Sequence, residues 1–216
     1  MLTESIGPDA PPRVLMHCSG QVALVAALIA VVVGCAAPPV QLPSNVAVVR
    51  GAQGEAYIDK VDFSYRGQGQ RDFAKLKLCV AENVANNAVG LRDSAGSFVG
   101  AASRTYYQAN NTQSVGGSAV FKYVDDSSST LIANGTTVSG DTSAILSKDF
   151  VRFELKASVS GNDVALMFYA ITRAQQNTGS LANDGFGPVG VWLGSRAPDV
   201  YASIEAVASK VKTCLN

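Results

Sequence analysis

Histidine is nearly absent from this chain of 216 residues: the only imidazole is His17, close to the N-terminus. Nucleophilic triads with a histidine base, and histidine metal ligands, therefore hang on one position. There is no G-x-S-x-G elbow, no Walker-type loop and no C-x-x-C spacing. Charge is sparse and balanced, with 17 Lys and Arg against 17 Asp and Glu. Lys75 and Lys77 form a pair rather than a cluster, so the basic patch that nucleic acid demands is missing. No apolar run reaches the roughly 18 residues of a membrane span. No repeat of fixed period stands out.

What is present is a short apolar run. Every residue from Val22 to Val33 is apolar. As a helix this run rises about 18 Å, against roughly 30 Å of hydrocarbon in a bilayer. That length suits the apolar region of a signal peptide. The alternative, a buried core helix, fits poorly with Pro38 and Pro39 and with the lack of a polar face. The run ends in Val32-Val33-Gly34-Cys35, which resembles the bacterial lipobox. The resemblance covers these four residues and the apolar run, and no residue beyond Cys35.

The lipoprotein resemblance implies that the Cys35 sulfur takes a diacylglycerol, that the chain is cut before Cys35, and that the new amine is acylated. Two or three acyl chains anchor stably where one binds marginally. Residues 1–34 would leave, taking His17 and Cys18 with them. Ala36 follows the cysteine, and no Asp does, which in enteric-type bacteria resembles lipoproteins sent to the outer membrane. The expected location is the periplasmic side of that membrane. In an oxidising compartment the remaining Cys79 and Cys214 are expected to form a disulfide, the alternative being two buried thiols. The chain-entropy model gives roughly 5 kcal/mol for so long a loop, and real bridges more often give 2–4 kcal/mol.

Residues 35–48 read as a Pro-rich, extended linker and residues 49–216 as a single β-rich domain. Residues 56–65 alternate, with Tyr57, Val61, Phe63 and Tyr65 on one face. Asp59 interrupts that apolar face and Ile58 the polar one. Residues 66–70 read as a turn. Residues 72–80 alternate again, Ala74, Leu76, Leu78 and Val80 opposing Lys75 and Lys77, and predict a second strand. Phe98-Val99 and 104–108 predict short strands, 109–117 a polar loop and 120–124 a strand. Asn134-Gly135 predicts a tight turn within 131–139. Residues 151–157 and 164–172 predict a hairpin turning at 160–163, its second strand covered on both faces. Residues 176–190 read as a Gly- and Asn-rich loop, and 189–193 as a short strand.

Val200, Ile204, Val207, Val211 and Cys214 form one helical stripe, with Pro198 and Asp199 in the first turn and Lys210 and Lys212 in the last. The whole predicts an α+β fold: a mainly antiparallel sheet with a C-terminal amphipathic helix packed on it. A β-sandwich or barrel with a capping helix is the alternative.

Candidate chemistry is thin. Asp125-Asp126 ahead of three serines reads as a solvated turn, as does Asn183-Asp184-Gly185. Asp59 is the one carboxylate in an odd place. Tyr106, Tyr107 and Trp192 are the candidates for a binding surface, next to loops 107–118 and 176–190. No catalytic residue, metal site or cofactor is expected. The expected function is that of a non-enzymatic, lipid-anchored accessory or assembly factor with a protein partner in the envelope. A lipid- or glycan-binding module is the alternative, and a hydrolase using carboxylates a distant third.

Overall fold

The computed structural model describes residues 40–67, 72–140 and 148–216. The apolar run, Cys35 and most of the 66–70 turn lie outside the described residues. The strands are β1 (Val46–Arg50), β2 (Ala56–Arg66), β3 (Val89–Asp93), β4 (Phe98–Val99), β5 (Tyr106–Tyr107), β6 (Asn111–Val115), β7 (Phe121–Asp125), β8 (Thr130–Ser139), β9 (Asp149–Ser160), β10 (Asp163–Gln175) and β11 (Gly187–Pro188). The helices are α1 (Phe73–Asn83) and α2 (Ala197–Leu215). Neither is long and apolar enough to cross a membrane.

The main sheet is antiparallel, in the order β1-β2-β10-β9-β8-β7, with β11 on the end of β10. Strands β7 to β10 form a meander that closes against β2. Val151, Phe153, Leu155 and Ala157 of β9 alternate toward one face, as do Val164, Leu166 and Phe168 of β10. There they form one core with Leu76, Cys79 and Val80 of α1 and Val200, Ile204, Val207 and Val211 of α2. This is the predicted α+β arrangement; among the described residues the sheet does not close into a barrel. The disulfide joins Cys79 to Cys214 across the helix layer, with Cα atoms 5.6 Å apart. The predicted β9–β10 hairpin is also present, Ser160 opposing Asp163.

Several predictions of local structure are corrected. Residues 73–83 form a helix, not a strand. Phe73, Leu76 and Val80 lie on one helical face with Cys79 beside them, while Leu78 stands exposed. Asp72 caps the helix, its Oδ1 accepting from the Ala74 N–H at 2.8 Å. Residues 131–139 run straight through Asn134-Gly135 as part of β8. Gly135 is present for space rather than for a turn: the Phe153 ring lies over it, and a Cβ there would meet Phe153 Cε2 and Cζ at 2.3 Å. Aromatic cover of a sheet glycine is a known device. The loop predicted at 109–117 contains β6. Residues 189–193 form no strand of their own; Val189 O and Val191 N bond the start of β2 at 2.9 and 2.8 Å. β1 takes in residues 46–48 of the expected linker, and Leu42 packs on the core.

Strand β10 is central, but its second face is not sealed. Ala165 is exposed, and Met167 and Tyr169 are half-buried between side chains of β2 and β9. The Tyr169 hydroxyl donates to Glu154 Oε2 at 2.8 Å, and burial together with that carboxylate pushes the phenol up to about 12. Asp59 owes its odd position to a β-bulge. Ala47 opposes Lys60 and Val48 opposes Ile58, so Asp59 is the extra residue. The bulge turns both Ile58 and Val61 into the core and leaves Asp59 exposed.

Converting both Cys79 and Cys214 to Ala should lower unfolding stability by roughly 2–4 kcal/mol without changing the fold. Urea denaturation of the double variant against the parent measures this; equal midpoints would show that the bridge does not constrain the unfolded chain.

Candidate functional site

Between α1 and β7 the chain leaves the main sheet and builds a lobe on its second face. The crossing runs along β8, where the Thr136 N–H donates to Ala85 O at 2.7 Å. Buried Asn86 steadies it, donating to Ser118 Oγ at 2.8 Å and accepting from Thr136 Oγ1 at 3.3 Å. β3 then pairs with β6, from Val89 opposite Val115 to Asp93 opposite Asn111. Val89 and Leu91 pack with Phe150, Ala174 and Phe186 in a second, small apolar cluster. Gly116 and Gly117, both at positive φ (85° and 82°), turn the chain back toward β7.

The tip of the lobe is the β4–β5 hairpin. Phe98 opposes Tyr107 and Val99 opposes Tyr106. The Phe98 and Tyr107 rings stack at 5.0 Å. All four side chains are about half exposed: Phe98 57%, Val99 62%, Tyr106 58% and Tyr107 47%. Trp192 lies elsewhere, edge-on to Tyr57 at 5.6 Å and against Gly190, beside the start of β2. The three aromatic candidates therefore stand on two surfaces, Tyr106 and Tyr107 together and Trp192 apart. Asp125 caps the β7–β8 turn through the hydroxyls of Ser127 and Ser128, which hold it at about 2, and Asp126 pairs with Lys77.

At the base of the hairpin lies a polar cleft of about 370 Å³. One wall is Arg92 and Asp93 of β3 with Ser94; another is Gln108, Asn110, Asn111 and Thr112; Asn177 and Gly179 close it. Asp93 organises these walls. Its Oδ1 accepts from Asn111 Nδ2 at 2.6 Å and from the Ala95 N–H at 2.9 Å, and its Oδ2 from the Asn183 N–H at 3.0 Å. These donors, the Asn111 amide first, hold the Asp93 carboxyl below its ordinary value. The 176–186 loop is pinned to β3 rather than free. The Arg92 N–H donates to Gln176 O at 2.8 Å and the Ser94 N–H to Gly179 O at 2.6 Å, while Asn183 Nδ2 ties the loop to the end of β10 by donating to Gln175 O at 2.9 Å.

Sequence reasoning missed this cleft. Its walls come from three stretches far apart in the chain, and Asp93 carries no local pattern. The only trace was the Asn-rich composition of the flanking loops. Chemically the cleft offers both hydrogen-bond donors and acceptors on amide, hydroxyl, carboxylate and guanidinium side chains. Among the described residues no group of three His, Cys, Asp or Glu side chains gathers as metal ligands.

No family model matches the chain, and no curated protein does. A solved structure of a DUF4468 family protein from Bacteroides ovatus ATCC 8483 is similar over 80% of this chain and 85% of that one. The identity is 8% and the TM-score 0.37, too distant to bear on function.

Because the folded Asp93 value lies below the ordinary 3.8, its anchoring of the loop is complete above that value and is lost as pH falls through the depressed one. In an NMR titration the Asn183 amide should follow the Asp93 carboxyl in that acid range, and Asn111→Ala should move the transition upward. An Asn183 amide indifferent to the Asp93 titration would contradict the network.

Proposed function

We propose that this chain is a lipid-anchored envelope protein that works by contact, as a non-enzymatic accessory or assembly factor for a protein partner. Its contact surface is the β4–β5 hairpin. The reading rests on one observation: four large apolar side chains, Phe98, Val99, Tyr106 and Tyr107, crowd two very short strands and stand half in water. An aromatic left half exposed forgoes on the order of 1 kcal/mol of burial. A partner surface would recover that at several neighbouring positions, and aromatic side chains are the usual anchors of such interfaces. Clustering separates this hairpin from the scattered exposed apolar residues that any protein carries.

The anchor reading is supported by Val32-Val33-Gly34-Cys35 and the apolar run before it. The acylated Cys35 would hold the protein on the periplasmic side of the outer membrane. Pro38 and Pro39, just after Cys35, favour an extended tether between the anchor and the domain.

A photo-crosslinking residue at Tyr106, in the native envelope, should capture one dominant protein, while the same residue at exposed Ser64 on β2 should not. Phe98→Ser should weaken that capture about tenfold or more. No protein adduct at Tyr106, or equal capture at Ser64, would end the contact reading. For the anchor, Cys35→Ser should leave an unlipidated precursor; normal lipid labelling of that variant would refute it.

A further inference from the structure

We infer that the polar cleft between β3, β6 and the 176–186 loop is a binding site for a neutral, hydroxyl-rich ligand, a sugar unit of a glycan. This site is independent of the partner proposed for the hairpin.

Four observations point the same way. First, the side chains that line the cleft, Arg92, Asp93, Gln108, Asn111, Thr112 and Asn177 among them, are polar. Planar amide, carboxylate and guanidinium groups each present a donor or acceptor edge. A sugar hydroxyl is both donor and acceptor, and so matches walls that offer both.

Second, the charges cancel. Arg92 is cationic, and Asp93 stays ionised because three N–H groups hold its oxygens. A cleft with one charge of each sign has no net field to select a strongly anionic ligand.

Third, the site is pre-organised yet retains open valences. Asp93 fixes Asn111 and the loop in place, and the Asn177 side chain accepts from the Gly179 N–H at 2.9 Å. Among the described residues neither the Arg92 guanidinium nor the Thr112 hydroxyl has a protein hydrogen-bond partner, and the two residues oppose each other in the β3–β6 ladder. Rigid walls with unused donors lower the ordering cost of binding.

Fourth, the size suits one small ligand. At about 370 Å³ the cleft is at the small end of ligand sites.

The test uses the full-length isotope-labelled chain in detergent, titrated with a neutral N-acetylglucosamine oligomer, a glucuronic acid oligomer and a fatty acid. The neutral oligomer should shift the backbone amides of Arg92, Asn111 and Asn177 at millimolar concentration or below. Arg92→Gln should weaken binding about tenfold and Thr112→Val about fivefold. Both residues are solvent-exposed, so the variants should keep the parent spectrum elsewhere, and a spectrum changed throughout would transfer the test to Gln108→Leu. The inference is overturned if no sugar shifts these amides, if the variants bind as the parent does, or if the acidic oligomer or the fatty acid binds more tightly than the neutral one.

Discussion

The Cys79–Cys214 bridge ties together the two helices that cover the main sheet, and the layout depends on that layer. The bridge joins a buried site in α1 to the last turn of α2, 135 residues later. Lys75 of α1 adds a second tie, its Nζ donating to Leu215 O at 2.9 Å, where the carbonyl end of α2 favours a cation. The other end of α2 is held from the sheet. Asp149 of β9, fully buried, accepts from Arg173 at 2.8 Å and meets Arg196, just before α2, at 3.1 Å. Helix α2 is thus fixed at both ends, by a covalent bond and by ions. With one face of the sheet filled this way, the second face is left for other uses.

The lobe on that second face is held by a different kind of force. Among the described residues its apolar cluster has only Val89, Leu91 and Ala174 as buried members. So small a core contributes little against the entropy of ordering the 89–115 and 176–186 segments. The difference is supplied by polar bonds, with Asp93 gathering three donors and β3 accepting the returning loop along its length. Such a lobe is the part of the molecule expected to open most readily. It also presents the aromatic tip and the polar cleft.

These two halves differed in how far the sequence revealed them. The α2 stripe from Val200 to Cys214 is a pure helical period, and the β9–β10 hairpin a pure alternation with a Gly turn, so both were legible. Helix α1 was not, because positions 74, 76, 78 and 80 happen to satisfy a period of two while 73, 76 and 80 satisfy the helical one. The deciding feature was the Asp72 cap, which the alternation masked. Asn134-Gly135 matched a turn, yet tertiary packing claimed the glycine for the Phe153 ring. Exposed Tyr106 and Tyr107 were singled out by residue type. The cleft next to them was not, since it exists only once three distant stretches are brought together.

What brings them together is a pair of bulges. β10 points Val164, Leu166 and Phe168 at the helices, and continued alternation would send residues 170, 172 and 174 the same way. Between Tyr169 and Thr172 the pairing with β9 slips by one, and Ala170 takes a left-handed φ of 49°. Beyond the slip, Ile171 faces the helix core and Ala174 faces the lobe, opposite Phe150. Across the sheet β2 has its own bulge at Asp59, and its pairing with β10 stops at Lys60 opposite Tyr169. The far end of β10, freed from β2, pairs instead with β11 at Thr172 and Arg173. That pairing brings back the loop which closes the cleft. One extra residue in each of two neighbouring strands thus changes which face Ala174 serves, gives the lobe its foothold, and sets Asn177 and Asn183 against β3. An Ala carries the strained φ of β10 where a Gly would relax it; the small side chain fits the exposed bulge, and the fixed backbone holds the strand end to one direction.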